Sequence, residues 1–129
     1  MDTIKWGKHG WIFLHYVTFN YPINPTQQDI DNYYDFFYSL KFVLPCDICK
    51  KHYSNNLLKH NLIGALKSRN LLIRWLIDIH NEVNKELGKP ILSYDKALIK
   101  LDKVDKNNIN ISYIVIIITM IIIMCKIIY

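Results

Sequence analysis

The stretch SRNLLIRWLIDIHNEVNKELGKP, residues 68–90, reads as one amphipathic helix with its C-terminal end marked. It starts at about Ser68, and Leu72, Trp75, Leu76, Ile79, Val83 and Leu87 recur at three- and four-residue intervals. Gly88 then supplies a C′ residue tolerant of positive φ, and Pro90 bars any continuation. Working back toward the N-terminus, the same period recurs. Residues 46–61 form a helix expected to turn Ile48, Tyr53, Leu57 and Leu58 inward. Residues 26–44 carry Ile30, Tyr33, Tyr34, Phe37, Leu40, Val43 and Leu44 in a stripe, with Thr26 and Asp29 as a loose capping box and Pro45 as the stop. Residues 6–19 place Trp6, Trp11, Phe13, Leu14 and Val17 at helical spacing before YPINP ends the run. Residues 93–101 make a short fifth helix. No segment alternates as a strand would, so the expected fold is an all-α four-helix bundle with a short fifth helix, occupying residues 1–101.

Beyond the bundle the composition changes. Residues 102–110 are a polar linker, and ISYIVIIITMIIIMCKIIY, residues 111–129, is predominantly apolar, with Lys126 near its end as its one charged side chain. As a helix it would span roughly 28 Å, against a hydrocarbon core of about 30 Å. The sequence therefore predicts a C-terminal transmembrane helix, with Lys96, Lys100, Lys103 and Lys106 as positive-inside charges and Lys126 snorkelling at the far end. MDTIKWGKHGW offers no secretory leader or cleavage site, so the bundle is expected to face the cytosol or an equivalent reducing interior.

Charge excludes one class of function. Residues 1–95 hold eleven Lys/Arg against nine Asp/Glu, while residues 96–129 hold five Lys against two Asp. The basic excess belongs mainly to the tail, and the aromatics sit at core spacing, so nucleic-acid binding is not expected.

Of three cysteines, Cys46 and Cys49 stand as C-x-x-C directly after Pro45. Three are too few for a secreted disulfide scaffold. A thioredoxin-like site would need a βαβ setting that the chain lacks, and a zinc site would need a fourth ligand beyond Cys46, Cys49 and His52, for which His60 is badly placed. A redox dithiol remains: two cysteines in a first helical turn can bridge, and a helix N-terminus favours the thiolate. Redox chemistry on a helical bundle requires an electron acceptor. His80, Asn81 and Asn84 are polar interruptions in an otherwise amphipathic helix, and Trp11 and His15, four residues apart, offer a flat ring and a ring nitrogen on another.

These segments resemble the Erv/ALR family of flavin-linked sulfhydryl oxidases. WGKHGWIFLH is similar to its W-G-x-x-x-W-x-x-L-H opening, YP and PCDICKKHY to its Y-P and P-C-x-x-C-x-x-H/D segments, and HNEVNKELGKP to its H-N-x-V-N-x-x-L-G-K flavin motif. The resemblance implies a bundle that holds FAD non-covalently, usually as a homodimer, and that turns substrate dithiols into disulfides while oxygen becomes hydrogen peroxide. It implies flavin contacts for Gly7, Lys8, Trp11, His15, His80, Asn81, Val83, Asn84 and Lys89, with Lys8 and Lys89 suited to the pyrophosphate and Trp11 and His80 to the adenine. Cys49 would face the isoalloxazine, and Cys46 would exchange with incoming thiols. No second dithiol is present to shuttle electrons, so protein dithiol substrates reach Cys46 directly or through a thioredoxin-like relay protein. Where many members carry a structural disulfide, the matching positions are Leu71 and Tyr94, expected to pack together instead. The membrane helix is reminiscent of virally encoded members, which implies a domain facing the cytosol or a virion interior. The competing reading is a flavin-free, membrane-tethered assembly or docking protein whose dithiol merely forms mixed disulfides.

Overall fold

The computed structural model describes residues 3–100, 116–121 and 123. Two compact units are present, Met1–Leu92 and Ser93–Tyr129. The first is built from α1 (Thr3–Phe19), α2 (Gln27–Val43), α3 (Asp47–Lys59), the single turn α4 (Leu62–Ala65) and α5 (Arg69–Glu86). No strand occurs among the described residues.

α5 is the central element because it carries the longest buried stripe: Leu72, Trp75, Leu76, Ile77 and Ile79 are all buried, and it packs on α1, α3 and α4. Ser68 caps it by accepting the N–H of Leu71, and Gly88 takes φ +64° just past its end. α2 packs on α3. Its capping box is complete: the Thr26 hydroxyl accepts the Asp29 N–H, and the Asp29 carboxylate accepts the Thr26 N–H at 2.8 Å. Phe37 from α2 meets Trp75 from α5 edge-on at 5.2 Å, and the Tyr53 hydroxyl donates to the Phe37 carbonyl at 2.9 Å, so α2, α3 and α5 share one aromatic centre. The α1–α2 turn is fixed by Tyr21, which donates to the Leu66 carbonyl at 2.7 Å and whose own carbonyl accepts from Arg69 Nε.

Several expectations are corrected. Cys46 lies outside α3 as its N-cap, with φ −151° and ψ 121°, rather than in its first turn. Ile48 and Leu58 are 62% and 89% exposed rather than inward. The reason is rotational: the bonds from Tyr53 to α2 and from His52 and Lys59 to α5 turn the stripe Cys49–Tyr53–Asn56 toward the bundle, which leaves Ile48 about 100° and Leu58 about 180° away from it. Asn56, not a leucine, is the fully buried residue there. Phe13 and Val43 are likewise exposed.

In the second unit residues 94–100 are helical, within the expected 93–101, of which residue 101 lies outside the described residues. Leu71 belongs to the first unit and Tyr94 to the second, each with more than a third of its surface exposed. The linker at 102–110 lies outside the described residues, as does most of the 111–129 span. Residues 116–121 and 123 are helical and exposed, and among the described residues no helix is long and apolar enough to cross a membrane.

Candidate active site

The motif residues gather on two parts of the first unit. The first is the seam between α1 and α5. Trp11 and His80 stack with ring centroids 3.9 Å apart and planes 3° from parallel. His15 Nε2 lies 3.2 Å from His80 Nδ1, and the Thr18 hydroxyl donates to the His15 carbonyl at 2.8 Å, so α1 and α5 are tied through two imidazoles and an indole. His15 is 3% exposed, and burial holds its imidazole down at about 4, so it is neutral at pH 7. The rings of Trp11 and His80 already touch, so a purine can meet only an outer face of the pair and not a slot between them.

Around this seam the expected contacts are disposed unequally. Gly7 is half-buried, and a Cβ added there would have no atom within 4 Å: its face of α1 is open. Lys8 and Lys89 are exposed, and Val83 and Asn84 half-buried. Asn81 has a structural task. Its amide donates to the Leu92 carbonyl at 2.8 Å and accepts the Leu92 N–H at 3.1 Å, which clips the segment after Gly88 back onto α5. The Asn84 carbonyl accepts the Lys89 N–H at 2.8 Å and fixes where that lysine emerges.

Two buried polar atoms on α1, Trp6 Nε1 and His15 Nδ1, have no partner among the described residues. Leaving such atoms unpaired costs about 1–3 kcal/mol each, so this helix calls for a polar ligand that the chain does not supply. Orphaned ring nitrogens, an open glycine face, a flat aromatic pair and two lysines fit the donor chemistry of a flavin dinucleotide.

The second part is the N-terminus of α3. Cys46 and Cys49 are half-buried free thiols, and the Cys46 sulfur takes the capping place usually filled by a Ser or Asp oxygen, accepting the Cys49 N–H at 3.3 Å. The two sulfurs are thereby made unequal. The Cys49 thiol donating to Cys46, followed by the backbone N–H of Cys49, lowers the Cys46 thiol below its ordinary range. Burial first, then the hydrogen bond to Cys46 and repulsion by charge there, pushes Cys49 up to about 11. One turn further on, His52 Nδ1 lies 2.7 Å from Glu86 Oε2 on α5. Glu86 and His80 are six residues apart on α5, about 9 Å along its axis, so the dithiol end of α3 and the aromatic seam lie within roughly one flavin length of each other. Glu86 was not singled out from the sequence, and neither was buried Asn56; both acquire their surroundings only when α3 and α5 pack side by side.

Comparison with known proteins gives a consistent result. Residues 8–106 match the model of the Erv1/Alr family. The chain is 45% identical over 104 residues to the probable FAD-linked sulfhydryl oxidase R368 of Acanthamoeba polyphaga mimivirus, covering 80% of this chain and 73% of that one. It is 38% identical over 97 residues to the putative FAD-linked sulfhydryl oxidase 347L of invertebrate iridescent virus 6, covering 71% and 87%. The FAD-binding domain of Erv1 from Saccharomyces cerevisiae superposes with a TM-score of 0.69 at 32% identity, over 74% of this chain and 89% of that one. The family match takes in the aromatic seam, the capped dithiol and the α5 motif together, and on that ground the chain belongs to the Erv1/Alr family.

Proposed function

We propose that this protein is an FAD-dependent thiol oxidase that forms disulfides in protein substrates. The observation that carries the reading is the inequality of the two sulfurs at one helix terminus beside a seam that calls for an outside polar ligand. FAD, when bound, accepts the electron pair of the dithiol and passes it to oxygen, which leaves as hydrogen peroxide.

The chain's own residues set up the rest. In the oxidised enzyme Cys46 and Cys49 share a disulfide. A substrate thiolate attacks the Cys46 sulfur, the S–S bond breaks and Cys49 departs with the bonding pair. A second substrate thiolate attacks its own sulfur in the mixed disulfide and expels Cys46, leaving Cys46 and Cys49 as a dithiol. Cys46 suits the outward role, because the Cys49 thiol and N–H stabilise its thiolate and make it a good leaving group. Cys49, the more deeply buried sulfur, is the one held for FAD. Gly7, Lys8, Trp11, His15, His80, Val83, Asn84 and Lys89 hold the dinucleotide, while Asn81 acts through the fixed return after Gly88. His15, neutral by burial, offers a ring nitrogen without bringing a charge into the seam.

The finer assignments extend this reading. Residues 111–129 are a single-pass anchor, supported by their apolar composition, and leave the bundle, residues 1–101, facing the cytosol or a virion interior. Protein dithiols reach Cys46 directly or from a thioredoxin-like relay. A second copy of the chain is the expected partner, and exposed Phe13 on α1 offers apolar surface for one.

The test is direct. Purified protein should be yellow with a flavin absorbance band and should consume one oxygen per dithiothreitol oxidised. A colourless, folded protein with intact dithiol would favour the docking alternative and sink the oxidase.

A further inference from the structure

Cys49 leaves the disulfide as a thiolate, but burial and Cys46 together hold it at about 11, so at neutral pH it takes up a proton that it must lose again before its sulfur can act. Lys50 and Lys59 are each held by a carboxylate, Asp47 at 3.0 Å and Glu82 at 3.1 Å. His52 stands three residues after Cys49, so the two side chains are neighbours on the α3 surface, with Cβ atoms about 5–6 Å apart. Its Nδ1 is held by Glu86 Oε2 at 2.7 Å, and among the described residues its Nε2 has no partner. With Nδ1–H directed at a carboxylate, the neutral ring presents Nε2 as a lone-pair acceptor, the tautomer that a general base needs.

We infer that His52, oriented by Glu86, is the proton acceptor for Cys49, directly or through one water. The step moves one proton and no electrons. The Cys49 S–H bond breaks, an N–H bond forms at His52 Nε2, and sulfur keeps the pair for onward reaction. The resulting imidazolium faces the Glu86 carboxylate, and His52, 39% exposed at its side chain, releases the proton to solvent. The other charged groups near it are Lys50, Lys51 and Asp47 on α3 and the Lys59–Glu82 pair reaching α5. The first three lie on the helix surface and the last is self-neutralised. Glu86 is thus a positioning residue, and His52 the group that meets the reacting atom.

This inference rests on the oxidase reading, and its experiment has an arm that does not. In the full-length holoenzyme, turnover of dithiothreitol is measured from pH 6 to 10 for wild type, His52→Gln and Glu86→Gln. Separately, alkylation of Cys49 by iodoacetamide is followed by mass spectrometry in the Cys46→Ser protein with and without His52→Gln. Expected are a fall of about a hundredfold in kcat at pH 7 for His52→Gln, a climb of roughly tenfold per pH unit toward wild type, and partial rescue by added imidazole. Glu86→Gln, which keeps a hydrogen-bonding oxygen without the charge, should fall between. Cys49 alkylation at pH 7 should slow about tenfold without His52. A wild-type profile in His52→Gln would overturn the assignment, as would a pH-independent fall that imidazole does not rescue, or unchanged alkylation. Absence of turnover in wild type, with alkylation still dependent on His52, would instead count against the oxidase reading alone.

Discussion

The aromatic seam between α1 and α5 and the capped dithiol at α3 do different work by different means. The dithiol is largely local: Cys46, its cap geometry and the Cys49 N–H lie within four successive residues, and that short turn lowers the Cys46 thiol, while burial adds most to the rise of Cys49. The seam is wholly tertiary. Trp11 and His15 on α1 have no site until α5 brings His80 against them, and the price of that arrangement is two ring nitrogens left unpaired in the interior. Reactivity in this molecule thus starts from a turn that packing completes, whereas cofactor affinity is a property of the packed bundle alone.

The contrast breaks first at the sulfurs. Cys46→Ser and Cys49→Ser should each lose turnover by roughly a thousandfold or more while flavin content, set by the seam, stays near one per chain. Flavin loss in either variant would mean that the two regions are one. The next largest effect concerns the seam under acid. His15 titrates near 4 in the fold against an ordinary 6.5, so the unfolded chain binds the additional proton between those values. Stability should therefore be complete above about pH 6.5 and fall as pH drops toward 4, by up to about 3 kcal/mol. Denaturant midpoints across that window should slope in wild type and flatten in His15→Gln, with the dithiol chemistry playing no part. A smaller effect, about 2 kcal/mol, is expected from Asn81→Ala, which orphans both backbone groups of Leu92, with flavin release accelerated because the segment after Gly88 is no longer clipped to α5. Thr26→Ala, belonging to neither region, should cost about 1 kcal/mol by urea titration and leave turnover and flavin unchanged. Smallest of all, Cys125→Ser and truncation after Asn110 should leave dithiothreitol oxidation as it was, while truncation alone releases the protein from membranes.

The same division governs what the sequence discloses. The helices were legible because their signals are local: the Thr26–Asp29 pair and Gly88 mark ends that the structure keeps. The dithiol was legible for the same reason. What escaped was rotation and partnership. Nothing within α3 reports that Asn56 rather than Leu58 faces the core, since that follows from Tyr53 finding the Phe37 carbonyl and His52 finding Glu86 on other helices. Asn81 reads in the sequence as a polar interruption of an amphipathic helix, and its bond to Leu92 depends on a chain reversal that the periodicity cannot register. α4 was missed because one turn carries no period at all.

The claim at the centre of this account is that Cys49 is the sulfur held for the flavin and Cys46 the sulfur offered to substrate. The visible spectrum of the two serine variants, recorded as pH rises, tests it. Removing Cys46 takes away two of the three influences that raise Cys49, its hydrogen bond and its charge, and leaves burial alone. Cys46→Ser should therefore develop a long-wavelength absorbance as the Cys49 thiolate forms beside the flavin, and Cys49→Ser should show none at any pH. Equal bands in the two variants, or a band only in Cys49→Ser, would contradict the assignment.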